Sequence, residues 1–297
     1  MDSSGRHAYL IIAHSSPYVL EKLIVLLDDV RNDIYIHIDK KVEHFDFAYF
    51  QALSKKSTLR FIERMDVRWG HVSLVAVELN LMRAAYQKGV YSYYHLISGV
   101  DLPLKSQNEI HTFFDKNAGK EFVGFGDDVF DEDRVTKMHI FPKYMRVDST
   151  KLCQRGLRFL RNKALSVQRA VNCKFRKVEG KQYVYGSQWA SMTGGLVGVL
   201  LEHEKEFLHF YKYSNCSDEI YKQSFVYNSE FFRNVYDQKD ELKGCQRFMD
   251  WKRGRPYTFR EEDFNLVINS GMLFARKFDE NTDKKIVDLI FDHVQNQ

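Results

Sequence analysis

The sequence predicts an α/β protein built on a mostly parallel sheet. Three observations carry this prediction. Short apolar runs alternate with amphipathic stretches through the first hundred residues, at the spacing that strand–helix–strand units require. Hydrophobic residues make up 44% of the chain and charged residues 28%, enough to bury a large core and too apolar for a disordered chain. The longest apolar runs, such as Leu196–Leu201, fall far short of the ~18 residues that a membrane helix needs.

His7–His14 (HAYLIIAH) has the length and composition of a buried strand, and Pro17 opens a helical pattern with apolar residues at 19, 20, 23, 24, 26 and 27. Asp33–Ile38 and Leu59–Ile62 read as the next two strands. His71–Lys88 is helical, with apolar positions 72, 74, 75, 79, 81, 82 and 85. Tyr91–Ile97 is a further strand that runs into Ser98-Gly99-Val100-Asp101-Leu102-Pro103. The second half is less regular. A basic helical stretch extends to about Lys177, followed by the run Val184–Val199 and a helix near Glu202–Tyr213. A polar turn at Ser214–Glu219, another helix, and a tail of sheet-like and helical character complete the chain.

Four separated cysteines (Cys153, Cys173, Cys216, Cys245), with no C-x-x-C pair and no apolar leader, predict free thiols in a reducing cytoplasm. The net charge is +4, too small to argue for nucleic acid, but its distribution is uneven. Between Lys151 and Lys181 there are ten Lys/Arg against the single acid Glu179, so this segment is +9 and the remainder −5. Apolar residues at 152, 157, 160, 164, 167, 171 and 175 trace one stripe along it. Two readings follow: a helix with its stripe on the core and a solvated basic side, or an electrostatic contact with an anionic membrane. Aromatic residues are not interleaved with these cations and 40 acids lie elsewhere, which argues against a nucleic-acid partner.

Open α/β sheets bind ligands at the carboxyl ends of their strands, which directs attention to His14-Ser15-Ser16, His37-Ile38-Asp39 and Ser98–Lys105. Ser217-Asp218-Glu219 is open to two readings: a helix cap with acids favouring the dipole, or a carboxylate fixed as a general base at a cleft. Gly186-Ser187-Gln188-Trp189 is a turn before a core tryptophan, or a close backbone approach to a ligand with a ring for sugar stacking. Trp251-Lys252-Arg253-Gly254-Arg255-Pro256 and Phe274-Ala275-Arg276-Lys277-Phe278 hold cations that are either solvated or clamp a diphosphate. Asp131-Glu132-Asp133 has the D-x-D form of a divalent-cation site, yet it ends no apolar strand. Zinc-protease, phosphate-loop and serine-hydrolase motifs are absent.

Several of these segments, in order, resemble the core-2/I-branching β-1,6-N-acetylglucosaminyltransferases and the related peptide O-xylosyltransferases. They are AYLIIAH (8–14), IYIHID (34–39), VRWGHVSLVAVELNLM (67–82), YYHLISGVDLPLKS (93–106), GSQWASMT (186–193), SDE (217–219), the tryptophan segment 251–257 and LFARKF (273–278). The resemblance implies a GT-A type fold with a Rossmann-like, mostly parallel sheet in one domain. About 1–126 would form its nucleotide-binding half and about 127–297 its acceptor-binding and catalytic half. It further implies inverting transfer of GlcNAc or xylose from a UDP-sugar to a glycan hydroxyl, with no cofactor and no divalent metal. Glu219 would be the base. Lys277 and an arginine, Arg255 first and Arg253 second, would hold the pyrophosphate, and Trp251, Glu121 and Arg134 would meet the acceptor. Ser187 and Trp189 join the expected acceptor side. His14, His37, Asp39, Arg68 and Asp101, at or near strand ends, join the expected UDP-sugar site.

The animal members of this family carry membrane anchors and disulfides, so the resemblance points here to a bacterial, cytoplasmic relative in surface polysaccharide synthesis. A lipid-linked oligosaccharide at the inner face of the membrane would be one acceptor. Residues 127–183 match least, and acceptor identity is expected to lie there. The competing expectation is a sugar- or nucleotide-binding protein that needs no catalytic Glu219.

Overall fold

The computed structural model describes residues 5–144, 146, 152–176 and 180–297. Its main sheet has six strands in the order β3-β2-β1-β4-β7-β6. The strands are β1 (His7–Ala13), β2 (Asn32–Ile38), β3 (Thr58–Phe61), β4 (Tyr93–Ser98), β6 (Phe122–Val123) and β7 (Ala190–Thr193). A three-stranded sheet joins β5 (Asp101–Pro103), β9 (Phe274–Arg276) and β8 (Arg247–Met249). The pairs β1–β2, β1–β4 and β2–β3 are parallel, and β7 runs antiparallel to both β4 and β6.

Strands β1, β2 and β4 are buried along their whole length. That is why they read as continuous apolar runs: both faces of the sheet are covered, as parallel sheets require. On one face the Pro17–Leu27 and Lys284–Gln295 helices bury Leu20, Leu23, Ile24, Ile286 and Ile290 against Ile11 and Ile36. On the other the Ser73–Tyr86 helix sets Val75, Leu79 and Met82 against Leu10 and Tyr35. At the carboxyl ends of β1 and β4 the chains come so close that a Cβ on Gly99 would lie 2.7 Å from that of Ala13.

The first hundred residues follow the expected order with boundaries shifted by one or two positions, and add one helix that was not expected, Phe47–Leu53. The second half departs more. Val184–Val199 divides into an irregular stretch, β7, and the Gly194–Glu202 helix, because Thr193 caps that helix by accepting from the Leu196 amide. The expected Glu202–Tyr213 helix is the shorter Glu204–Phe210 helix plus a 3-10 turn at Tyr211–Tyr213. The helix after Glu219 ends at Tyr227, where Asn228 Nδ2 donates to the carbonyls of Gln182 and Ser224.

The basic segment forms a 19-residue helix, Leu152–Ala170, with no buried residue. A core-facing stripe is therefore corrected: Leu152, Leu160, Val167, Val171 and Phe175 are exposed, and Leu157 and Ala164 are half-buried. The helix rests on the body through a polar anchor, Gln168, whose amide exchanges hydrogen bonds with both backbone groups of Met138. Lys151, Lys177 and Glu179 lie outside the described residues. The four cysteines are free, Cys153 and Cys173 exposed, Cys216 and Cys245 buried. Among the described residues no helix is long and apolar enough to cross a membrane.

Candidate functional site

Two clusters form beyond the carboxyl ends of the parallel strands. The first is cationic. The pairing of β5 with β9 sets Arg276 opposite Asp101. Arg276 Nη1 donates to Asp101 Oδ1 at 2.7 Å, while Asp101 Oδ2 accepts from the Ser98 amide at 2.8 Å. The guanidinium lies 4.5 Å over the Trp189 ring. Lys277 follows directly; burial and then the Arg276 charge hold its ammonium below the usual lysine range. His14, just past β1, is likewise lowered by burial and next by Arg276, with Lys277 a smaller contributor. Three cationic or cationisable side chains thus share one locality, an arrangement suited to an anionic ligand.

The second cluster is acidic. Glu219 ends a single 3-10 turn, Ser217–Glu219. Its Oε2 accepts from Arg134 Nη2 at 2.6 Å, and the same guanidinium donates to the Cys216 carbonyl at 3.0 Å. Glu219 is a little over one third exposed (37%), and Oε1 has no partner among the described residues. The capping reading of this motif is corrected: Ser217 Oγ has no hydrogen-bond partner among the described residues and the following helix begins only at Tyr221. Asp218 is buried, and that burial, followed by the Glu219 and Glu78 charges, pushes its carboxyl well above the usual range. Glu241 is raised to about 7 by burial, against the Ser187 backbone amide, with Asp127 and Glu219 adding to the rise.

A buried ion pair underlies the acidic turn. Lys222 Nζ and Glu78 Oε2 lie 2.6 Å apart with neither side chain exposed (0%). Glu78 also accepts from Tyr221 Oη at 2.7 Å and Gln188 Nε2 at 2.9 Å, and Lys222 reaches the Asp218 carbonyl at 3.2 Å. The segment 186–189 joins the two clusters. Gly186 donates its amide to the Glu219 carbonyl at 3.0 Å, and three residues on, Trp189 carries Arg276. Three residue steps span at most roughly 11 Å.

Several expected site residues have other partners. Glu121 does not join either cluster. It is 1% exposed beside Thr193, which pairs with Tyr93 at the amino end of β4, and it accepts from the Thr193 amide at 2.9 Å and hydroxyl at 2.5 Å. His37 is fully buried, with Nε2 accepting from the Met65 amide at 3.0 Å. Asp39 closes on Lys41, at 2.8 Å to the amide and 2.6 Å to Nζ. Asp101 holds Arg276 with one oxygen and the Ser98 amide with the other, so it positions a cation. Trp189 is 7% exposed and its ring carries Arg276. Ser187 is buried, its hydroxyl taken by the Trp189 amide at 3.3 Å.

Gly186 has a packing reason rather than a ligand reason, since a Cβ there would lie 2.1 Å from the Gly124 carbonyl oxygen. Arg68 pairs with Asp66 at 2.8 Å. Arg253 bridges Asp250 and Asp263, each at 2.6 Å, and lies over Tyr257, so it pins its own loop. Arg255 and Trp251 are exposed in that loop. The arginine that stands beside Lys277 is its neighbour Arg276, which lies in an expected cation segment but was not the first or second choice for the pyrophosphate, Arg255 and Arg253. Glu241, Glu78 and Lys222 were also missed, because isolated acids and lysines in amphipathic stretches carry no local signature.

The D-x-D acids are engaged elsewhere. Asp133 pairs with Arg169 at 2.6 Å, Asp131 Oδ1 accepts from the Asp133 amide at 3.1 Å, and Glu132 lies 3.6 Å from Lys174. No cluster of three or more metal-ligating side chains occurs among the described residues. A cavity of about 590 Å³, lined by Arg31, Tyr93, His111 and Asp115, opens near the start of β4, away from both clusters.

The burial of Glu121 has a measurable consequence. Its carboxyl is raised from 4.5 to about 7, chiefly by burial and against the Thr193 hydrogen bonds. Folding therefore favours the protonated form, and stability should fall as pH rises from about 4.5 to 7, staying low above that. Glu121→Gln is expected to flatten this fall by on the order of 3 kcal/mol, measured as urea unfolding across the window. Parallel pH profiles for the two proteins would contradict the assignment.

The layout is that of an α/β protein with a cationic cluster where its parallel strands end, the place at which open α/β sheets bind ligands. The family model for Core-2/I-Branching enzymes matches residues 7–267, and the chain belongs to that family. Xylosyltransferase 2 from Homo sapiens is 21% identical over 310 residues, covering 97% of this chain and 34% of that protein. The human β-1,3-galactosyl-O-glycosyl-glycoprotein β-1,6-N-acetylglucosaminyltransferase is 22% identical over 321 residues, covering 98% of this chain and 70% of that protein. The chain spans about a third of the length of the xylosyltransferases it matches. Among solved structures, mouse xyloside xylosyltransferase 1 in its apo form aligns with a TM-score of 0.34 and 11% identity, over 90% of this chain and 96% of that one.

Proposed function

We propose that this protein is an inverting glycosyltransferase of GT-A type that moves a sugar, GlcNAc or xylose, from a UDP-sugar to a glycan hydroxyl in polysaccharide assembly. The observation that carries the reading is the four-residue bridge 186–189. It runs from the main chain of Glu219, whose carbonyl accepts from the Gly186 amide, to Trp189, whose ring carries Arg276, so one short segment supports both the candidate base and the cations.

Inversion needs a base for the acceptor hydroxyl, an in-line approach to the anomeric carbon, and neutralisation of the departing diphosphate. Arg134 fixes Glu219 through Oε2, which leaves Oε1 to take the hydroxyl proton as the new bond forms. The transition state is oxocarbenium-like, so the same carboxylate offsets charge developing on the sugar ring. Negative charge grows on the β-phosphate as the C1–O bond breaks. Arg276 and Lys277 meet it with positive charge already in place, Arg276 because Asp101 and Trp189 hold it.

Lys277→Ala is expected to lower kcat by about 10²–10³ and to weaken UDP binding, by analogy with removal of a preorganised donor. Turnover in excess EDTA is expected to match that without it. Full dependence on added Mn²⁺ would overturn the cation-clamp account and bring Asp131 and Asp133 forward. A donor screen with UDP-sugars, followed by NMR of the product's anomeric configuration, tests the reaction class. UDP-sugar binding with no hydrolysis and no transfer to any glycan acceptor would instead mark a binding protein.

A further inference from the structure

We propose that the Leu152–Ala170 helix is a docking face for an anionic lipid surface. The helix carries Leu152, Phe159, Leu160 and Val167 at 80%, 60%, 51% and 60% exposure. At 100° per residue these four fall within one arc of roughly 100°. Arg155 adjoins that arc, Arg158 lies farther round, and the helix contains no acid. Lys163 falls inside the apolar arc, its ammonium 5.8 Å over the Phe159 ring, so its stem extends the apolar strip while its charge stays at the rim. Val171, exposed at 67%, follows the strip at the helix end, after which the chain turns at Asn172 and Phe175 meets Tyr213.

An apolar arc beside a cationic one is the pattern of a helix lying in a bilayer interface. Its charge fits anionic headgroups. A second copy of the same helix would instead bring cation against cation. The opposite side of the helix is already engaged, through Gln168 on Met138 and Arg169 on Asp133. Asp133 begins the short Asp133–Thr136 helix, whose next residue, Arg134, holds Glu219. The docking face and the candidate base are thus fixed to one short helix. If the transferase reading holds, this geometry sets the acceptor side toward the lipid surface.

Sedimentation with vesicles tests the proposal without reference to activity. Binding is expected to phosphatidylglycerol/phosphatidylcholine vesicles at least about tenfold more strongly than to phosphatidylcholine alone, and to weaken as salt rises. Arg155→Glu with Arg158→Glu, and separately Phe159→Ser with Val167→Ser, are each expected to lose this binding, with unchanged circular dichroism and turnover on a soluble acceptor. Equal binding to both vesicle types, or binding to neither, overturns the proposal. So does a solution dimer that the Phe159→Ser/Val167→Ser variant abolishes, because the apolar arc would then belong to a second copy. Loss of transfer to a soluble acceptor by Glu219→Gln, by contrast, bears on the transferase reading and leaves this one untouched.

Discussion

Glu219→Gln is expected to lose about 10²–10⁴ of turnover while binding UDP as the parent does. The amide keeps the volume of the side chain and can still accept from Arg134 through its carbonyl oxygen, so the turn should hold its shape. It cannot take a proton at neutral pH. The loss should therefore appear in kcat, with little change in the KM for donor, because the interaction removed exists only as the hydroxyl is deprotonated. Steady-state transfer assays beside UDP titration calorimetry separate the two quantities. A variant that transfers as fast as the parent would remove Glu219 from the chemistry. One that loses UDP binding in proportion would make it a structural residue.

Lys222→Met carries the largest expected effect on stability. Its ammonium and the Glu78 carboxylate are both fully buried at 2.6 Å, so removing one partner leaves the other uncompensated in the interior. Breaking such a pair costs about 3–5 kcal/mol, read as a lower urea midpoint. The double change Glu78→Leu/Lys222→Met should recover much of that loss, since no charge is then stranded. The pair also has a positional role: Lys222 reaches the Asp218 carbonyl, and Glu78 reaches Gln188 on the bridge between the clusters. In the restabilised double variant kcat should therefore stay low while UDP binding is retained. Equal stability of the parent and the single variant would contradict the buried ion pair.

The parallel half of the fold was legible because β1, β2 and β4 are buried on both faces, and the helices between them keep a clean apolar period. The short strands β5, β8 and β9, of three residues each, left no periodic trace, yet their pairing is what sets Arg276 on Asp101. Glu219 and Lys277, the proposed base and phosphate cation, could be picked out because each stands in its own local motif. The site was obscured where distant segments converge. Nothing in the sequence near Trp189 announces that its ring supports Arg276, and nothing near Glu121 announces Thr193. The Leu152–Ala170 helix misled for a different reason: its apolar spacing fits a core stripe, but the contacts that hold it are polar and centred on Gln168.

The structure of the complex with UDP tests most directly whether the two clusters are ends of one site. The account predicts the diphosphate on Arg276 and Lys277, with Glu219 Oε1 open toward the side from which the acceptor hydroxyl would approach the transferred sugar. A diphosphate bound elsewhere, through a divalent ion on Asp131 and Asp133 or on the exposed Arg253–Arg255 loop, would contradict it.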